Sequence, residues 1–177
     1  MLEKWQVLSS RAAFSSRWLR IRQDAVRLPN GMELDDYFVV EQYDFVKIFA
    51  YTDAGDVVFV RQYKHGAAQV ILELPAGFVE HGEDPGQAAV RELREETGYA
   101  GELRKVAEWE VDPTRTPTIE HLYFGRAALT GKQELDDSED IEVVLIPAKD
   151  LVRHIEGGDI SAMSSVAAAL YCLPLIG

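Results

Sequence analysis

The strongest constraint on the fold of this chain is the stretch from Gly77 to Tyr99, which reads GFVEHGEDPGQAAVRELREETGY. From Asp84 onward the apolar residues follow a helical period, and Pro85 suits a first turn because its missing N–H costs little there. Gly98 is suited to end a helix, since glycine adopts a left-handed backbone without a steric penalty. The stretch therefore predicts a loop, a helix from Asp84 to about Thr97, and a sharp exit.

Three carboxylates share one face of this predicted helix: Glu92, Glu95 and Glu96. Spacings of three and four bring them side by side, where each like-charge pair destabilises a helix by roughly a few tenths of a kcal/mol. Arg91 and Arg94 can offset part of that repulsion. Hard carboxylate oxygens are also the ligands that Mg²⁺ or Mn²⁺ needs, and a bound cation would remove the repulsion. The cluster alone favours a solvated charged face, and the flanking residues shift the balance towards a metal site.

The flanking residues complete a motif with fixed spacing: Gly77, Glu83, Arg91, Glu92, Leu93, Glu95, Glu96 and Gly98. It resembles the Nudix box, G-x5-E-x7-R-E-U-x-E-E-x-G-U, in which U is a bulky apolar residue. Only the last position departs, because Tyr99 is aromatic, and an aromatic ring can still pack there. Because so many specified residues match at fixed spacing, the chain resembles the Nudix hydrolases.

The resemblance implies a loop–helix–loop that presents carboxylates to a metal-bound diphosphate, with Mg²⁺ as the cofactor and Mn²⁺ as a substitute. The implied metal ligands, which also serve catalysis, are the carbonyl of Ala76 and the side chains of Glu92, Glu95 and Glu96. The implied structural positions of the motif are Gly77, Glu83, Arg91 and Gly98. A divalent cation would neutralise the diphosphate and lower the pKa of a bound water, whose proton a carboxylate then accepts.

The likeness extends beyond the motif. Residues 60–83, VRQYKHGAAQVILELPAGFVEHGE, resemble the ADP-ribose pyrophosphatase group of the family. This resemblance implies hydrolysis of ADP-ribose to AMP and ribose 5-phosphate. It also implies that an N-terminal strand arm, residues 1–45, builds a homodimer and contacts the substrate, ahead of a Nudix domain at residues 46–177.

The general base is expected outside the box, in the acidic loop from Asp136 to Glu142. Glu139 best matches the place from which this group supplies its base, with Asp140 and Glu142 next and the box residue Glu95 as the alternative. Two arginines, Arg61 and Arg115, are candidates for binding a substrate phosphate, although each is equally consistent with a surface ion pair.

The expected fold class is α+β: a Nudix fold, an α/β/α sandwich with a mixed sheet, preceded by the antiparallel arm. Turn signals at Pro29–Gly31 and Asp53–Asp56 separate the early strands. The strands are predicted at residues 18–27, 37–41, 45–52, 57–63, 70–74, 103–111, 121–128 and 141–146. Two further helices are predicted at residues 148–155 and 163–173.

Composition limits the remaining possibilities. A net charge of −12 over 177 residues argues against nucleic-acid binding, which usually needs a basic face. No run reaches the roughly 20 apolar residues of a membrane span, and the N-terminus lacks a signal peptide. The single cysteine, Cys172, is expected to be buried. These features make a cytoplasmic location the expectation.

Two other functions stay open. Residues 111–120, VDPTRTPTIE, lack the S-P-G-like loop that ADP-ribose enzymes often carry, so GDP-mannose or another nucleotide sugar remains a possible substrate. A nucleotide-binding Nudix module without catalysis is the alternative from a different class. Such modules usually lose box glutamates, and this chain keeps them.

Overall fold

The computed structural model describes residues 2–17 and 19–176 of the chain. The strands of this part are β1 (Gln6–Ser15), β2 (Arg20–Arg27), β3 (Glu33–Glu41), β4 (Phe45–Tyr51), β5 (Asp56–Lys64), β6 (Gln69–Glu73), β7 (Ala76–Phe78), β8 (Tyr99–Glu110), β9 (Ile119–Leu129) and β10 (Ile141–Pro147). The helices are α1 (Pro85–Thr97), α2 (Leu151–Glu156) and α3 (Met163–Cys172). Trp18, which the sequence places at the start of a strand, lies outside the described residues.

The first compact unit comprises Met1–Asp44 and Trp109–Glu120. It contains a three-stranded antiparallel sheet in the order β1-β2-β3. The predicted turn between β2 and β3 is present, because the Gly31 N–H donates to the Leu28 carbonyl and Gly31 has a φ of 87°. Strand β1 was not predicted, since its residues QVLSSRAAFS are exposed along their whole length and show no alternation.

The second compact unit comprises Phe45–Glu108 and His121–Gly177. The larger sheet has seven strands and includes the path β10-β5-β4-β9-β8, while β6 pairs with β5 and β7 pairs with β4. The predicted hairpin between β4 and β5 forms around Gly55, whose φ is 82°. Its N–H donates to the Thr52 carbonyl, and the Thr52 N–H donates to the Asp56 carbonyl.

Helix α1 begins and ends where local chemistry predicts. The Asp84 side chain accepts hydrogen bonds from the Gly86 and Gln87 N–H groups and so satisfies two donors of the first turn. At the other end, Gly98 has a φ of 73° and its N–H donates to the Arg94 carbonyl. The predicted span of this helix is confirmed.

Alternation along β4 distributes its side chains between the two faces of the sheet. Val46, Ile48 and Ala50 are fully buried in one cluster with the buried apolar residues of α1, which are Ala88, Ala89 and Leu93. The next residue in the alternation, Phe49, points to the other face and stacks on Phe124 at 5.7 Å between ring centroids. Tyr99 is 8% exposed within the α1 cluster, so its aromatic ring packs as expected.

Other boundaries differ from the sequence predictions in ways that have local causes. Strand β8 begins at Tyr99, earlier than predicted, because the chain leaves the Gly98 cap directly into the sheet. The short β7 is absent from the predicted strands, and it forms because Ala76–Phe78 pairs with β4. The helix expected from Ala148 starts as a 3₁₀ turn before α2.

The C-terminal region agrees with the expectation for the cysteine. Cys172 at the end of α3 is fully buried, and burial raises the pKa of its thiol to about 12. No helix within residues 2–17 and 19–176 is both long and apolar enough to cross a membrane.

Candidate active site

Arg91 holds the loop before α1 and the carboxylates of the helix in one hydrogen-bonded network. Its Nε and Nη2 atoms donate to the two carboxylate oxygens of Glu83 at 2.9 and 3.0 Å, which is a bidentate ion pair. Its Nη1 atom donates to Glu92 at 2.7 Å and to Glu95 at 3.1 Å. Nη2 also donates to the Phe78 carbonyl at 3.1 Å. One guanidinium thus fixes the loop, and two of the three clustered carboxylates, relative to the helix.

Glu83 is the anchor of this network on the loop side. Besides the two bonds from Arg91, one of its oxygens accepts the Glu80 N–H at 2.9 Å. The Arg91 hydrogen bond is the main reason that the pKa of Glu83 lies below its ordinary value, and the Glu80 N–H acts in the same direction. Glu83 is therefore held as an anion, and it closes the loop by binding both a side chain and the backbone.

Glu92 lies against the backbone of Gly77. A Cβ atom at that glycine would stand between 1.9 and 2.3 Å from the carboxylate atoms of Glu92, so any other residue would displace the carboxylate. Burial raises the pKa of Glu92; Arg91 lowers it, and the negative charges of Glu95 and Glu139 raise it further. The glycine is needed here for close approach of a side chain, which is a separate reason from backbone conformation.

Glu96 is the most buried of the three carboxylates, with 4% of its surface exposed. It accepts the Ala76 N–H at 3.0 Å, which joins β7 to the last turn of α1. Burial raises the pKa of the Glu96 carboxyl to about 8; the Ala76 N–H opposes this, and the charge on Glu92 adds to it. An anionic Glu96 is therefore costly in this position without further positive charge.

The donor set fits a hard divalent cation. Within residues 2–17 and 19–176 no three side chains of His, Cys, Asp or Glu already converge as a metal would require. Glu92 and Glu95 bind Arg91 instead, and Glu96 binds a backbone N–H. Burial and neighbouring carboxylates nevertheless raise the pKa values of Glu92 and Glu96, so a bound positive charge would stabilise their anionic forms. Carboxylate oxygens are the ligands that suit Mg²⁺ or Mn²⁺.

A second charged group borders Glu96 and was not predicted as part of the site. Glu73 at the end of β6 forms an ion pair with Lys64 at 2.9 Å, and its other carboxylate oxygen lies 3.6 Å from the Nζ atom of the buried Lys47. Lys64 lowers the pKa of Glu96, whereas Glu73 raises it. Lys64 and Glu73 both lie in the stretch 60–83 that resembles the ADP-ribose pyrophosphatase group, so that resemblance contained a signal that these side chains border the site.

The acidic loop is present, and it brings Glu139 into the electrostatic surroundings of Glu92. The loop is tightened by a turn in which the Glu139 N–H donates to the Asp136 carbonyl at 2.9 Å. In return the Asp136 N–H donates to the Glu139 carboxylate at 3.0 Å. Asp140 is exposed beside it. Glu142 has already entered β10, where it faces a partner of its own.

That partner is Arg61, which pairs with Glu142 at 2.6 Å directly across β5 and β10. Val58 packs against α1, and the two-residue alternation of β5 puts Arg61 on the opposite face of the sheet. The structure therefore does not bring Arg61 to the carboxylates of the helix. Arg115 belongs to the first compact unit, where its carbonyl accepts the Val40 N–H at 2.7 Å.

Two family models match the chain. Residues 44–164 match the model described as the NUDIX domain. Residues 5–40 match the model described as the nucleoside diphosphate sugar hydrolase N-terminal domain. The first match covers more than half of the chain and includes all of the carboxylates described above.

Two similar proteins span nearly the whole chain. An ADP-ribose pyrophosphatase from Bacillus subtilis is 30% identical over 169 residues, which is 94% of this chain and 91% of that protein. A methanol dehydrogenase activator from Bacillus methanolicus is 31% identical over 170 residues, with the same coverage of both chains. The match is therefore not limited to the motif around α1.

A solved structure supports the fold. The crystal structure of an ADP compounds hydrolase superposes with a TM-score of 0.86 and covers 99% of this chain and 96% of its own. Sequence identity between the two is 19%, so the comparison concerns the fold. The predicted class, α+β with a mixed sheet and an antiparallel N-terminal arm, is confirmed.

The Arg91–Glu83 pair gives a prediction for stability against pH. A carboxyl whose pKa is lowered by folding stabilises the fold above its ordinary pKa, and this contribution is lost as the pH falls through the folded value. We expect Glu83→Gln to lower the free energy of unfolding by about 1–2 kcal/mol at pH 7. The deficit should shrink once the pH falls below the ordinary value of 4.5.

Urea unfolding followed by circular dichroism from pH 7 to pH 3.5 measures this difference. Glu80→Gln is the matched control, because Glu80 takes part through its backbone and its side chain is exposed. A deficit for Glu83→Gln that stays constant over the whole pH range would contradict the assignment.

Proposed function

The chain belongs to the Nudix hydrolase family, and on that premise we propose that it hydrolyses ADP-ribose to AMP and ribose 5-phosphate. The observation that carries the proposal is the set of buried and partly buried, mutually repelling carboxylates on α1, held by Arg91 and by the backbone of Ala76. The substrate is supported by the names of the relatives, an ADP-ribose pyrophosphatase and an ADP compounds hydrolase.

Family members require a divalent metal, and we propose Mg²⁺, with Mn²⁺ as a substitute. The proposed ligands are the carbonyl of Ala76 and the carboxylates of Glu92, Glu95 and Glu96. When bound, such a cation neutralises charge on the diphosphate and lowers the pKa of a coordinated water. Arg91 orients Glu92 and Glu95, and the Ala76 N–H orients Glu96, so the ligands are positioned by groups of this chain.

The proposed general base is Glu139. Carboxylates that hold a cation are poor proton acceptors, so a carboxylate from outside the helix is chemically useful. Glu139 is exposed, and it lies near enough to Glu92 to raise the pKa of that residue. In the reaction a water oxygen bonds to one phosphorus, the bridging P–O bond breaks, and Glu139 accepts the proton of the water.

The two arginines remain proposed contacts to substrate phosphates. Arg61 would have to exchange its partner Glu142 for a phosphate. Because both side chains of that pair are more than a third exposed, breaking the ion pair costs little free energy. Arg115 lies in the exposed loop between β8 and β9. Neither assignment is needed for the chemistry at α1.

The arm at residues 1–45 is proposed to build a homodimer and to contact the substrate, ahead of a catalytic domain at residues 46–177. Strand β1 supports this, because it forms an edge of a small sheet and exposes Val7 and Phe14 by more than half. A three-stranded sheet of this size has little core of its own, so a partner surface would stabilise it. We propose a cytoplasmic location and no nucleic-acid or membrane partner.

A second substrate class is favoured by one observation. Residues 5–40 match a domain described for nucleoside diphosphate sugar hydrolases, which leaves GDP-mannose and other nucleotide sugars as alternatives to ADP-ribose. A non-catalytic Nudix module is disfavoured, because the glutamates of the box are all present and are clustered.

The substrate and metal proposals are tested together. We expect phosphatase-coupled release of phosphate from ADP-ribose, since only the cleaved products are phosphomonoesters. Activity should vanish in chelator and return with Mg²⁺ or Mn²⁺, and Glu96→Gln should lose most of it while its circular dichroism spectrum is unchanged. Undiminished turnover after exhaustive chelation would contradict the metal-dependent mechanism. If GDP-mannose is cleaved and ADP-ribose is not, the substrate assignment changes to a nucleotide sugar.

The base assignment gives a separate kinetic prediction. Glu139→Gln should lower kcat by about 10²–10⁴-fold and leave KM nearly unchanged, because a general base acts in the transition state. Asp140→Asn is the matched control, an exposed neighbour whose loss should change kcat little. Loss of activity in Asp140 or Glu142 variants instead would place the base elsewhere in the loop. No loss in any of them would point to the box residue Glu95.

The dimer is tested by light scattering coupled to size-exclusion chromatography. At micromolar concentration we expect a mass twice the 19.8 kDa of the chain. Substituting the exposed Phe14 on β1 with Glu should shift the mass towards one chain, because a charge would enter the proposed interface. A single-chain mass for the unaltered protein at that concentration would count against the dimer.

A further inference from the structure

The segment between β9 and β10 is docked onto the end of α1 as well as being joined to the sheet. The last carbonyls of a helix have no partner within the helix and must be satisfied from outside. Here the Glu95 carbonyl accepts the Glu134 N–H at 2.9 Å, and the Gly98 carbonyl accepts the N–H groups of Thr130 and Gly131 at 3.0 and 3.2 Å. The segment that leads into the acidic loop therefore caps the helix that carries the proposed metal ligands.

Gln133 makes the contact that joins both ends of this loop. Its Nε2 atom donates to the Glu96 carbonyl in the last turn of α1 at 2.7 Å and to the carbonyl of Ile141 at 2.9 Å. Ile141 is the first residue of β10. A primary amide carries two N–H donors, and Gln133 uses them on two different elements.

The bridge restricts the loop that contains the proposed base. Residues 134–140 form a short loop between Gln133 and Ile141. The hydrogen bond from the Gln133 side chain to the Ile141 carbonyl holds the two ends of this loop together, which offsets the entropic cost of closing it. Glu139 lies two residues before Ile141 and is further held by the turn with Asp136. Gln133 thus restricts the segment that contains Glu139, although its own amide cannot act as a general base.

We propose that Gln133 is a positioning residue for catalysis: its bridge between the Glu96 and Ile141 carbonyls holds the loop so that Glu139 faces the carboxylates of α1. The inference rests on the proposed function, because it assigns the effect of Gln133 to Glu139. It predicts that Gln133 matters only while Glu139 is acting as the base.

The variant that tests the bridge is Gln133→Met, which has nearly the same shape and no N–H donor. We expect kcat for ADP-ribose hydrolysis to fall about tenfold, since misplacement of a reacting group by a fraction of an ångström to one ångström is costly. KM should stay within about twofold, because substrate binding does not use the loop amide. If Gln133→Met does not fold by circular dichroism, Gln133→Asn, which keeps the donors on a shorter stem, replaces it.

A double-mutant cycle separates positioning from general damage. In the Glu139→Gln background the same substitution should change kcat by less than about twofold, since the group it positions is already absent. An equal fall in both backgrounds overturns the inference, because Gln133 would then act through Glu96 and the helix. The concentration of Mg²⁺ giving half-maximal rate would also rise in that case.

The matched control is Glu134→Gln, the neighbour of Gln133. It removes an exposed ion pair with Arg94 and leaves the backbone bond from Glu134 to Glu95 in place, so kcat should be unchanged. A normal rate for Gln133→Met overturns the inference alone. A normal rate for Glu139→Gln overturns the base assignment and the inference with it, so the two failures are distinguishable.

Discussion

The structure of the site depends on one guanidinium. Arg91 makes a bidentate pair with Glu83, bonds to Glu92 and Glu95, and reaches the Phe78 carbonyl, so a single side chain ties the preceding loop to the carboxylate face of α1. The number and geometry of its donors explain why this residue is an arginine. Its planar group offers five donors in a fixed geometry, and the three donors of a lysine ammonium could not serve three carboxylates and a carbonyl at once.

The other carboxylates show why the same residues are suited to a cation. Glu92 is pressed against Gly77 and Glu96 against the backbone of Ala76, and both have raised pKa values because they are desolvated. Burying like charges is unfavourable for the fold and is retained here at a site where positive charge is expected to bind. Arg91 compensates two of the three carboxylates, whereas Glu96 accepts the Ala76 N–H and is favoured as an anion by the charge of Lys64.

The helix and its ends were predictable because their causes are local. Asp84, Pro85 and Gly98 act within a turn of their own positions, and the spacing of the carboxylates follows from the period of the helix. Strand β1 and the short β7 were not predictable, since neither has the alternation that marks a half-buried strand. Both form through pairing with a neighbouring strand, which a single sequence does not display.

The sequence by itself therefore determined the loop–helix–loop, the identity of its clustered carboxylates and the family, because these reside in one continuous stretch. Only the tertiary structure decided what surrounds them. The tertiary structure pairs Arg61 with Glu142 and places Lys64 and Glu73 near Glu96. It also joins Gln133 to both α1 and β10 by hydrogen bonds. Each of these contacts joins segments distant along the chain, so it is set by strand register and packing, whereas residue spacing along the chain fixes only what lies within a helical turn.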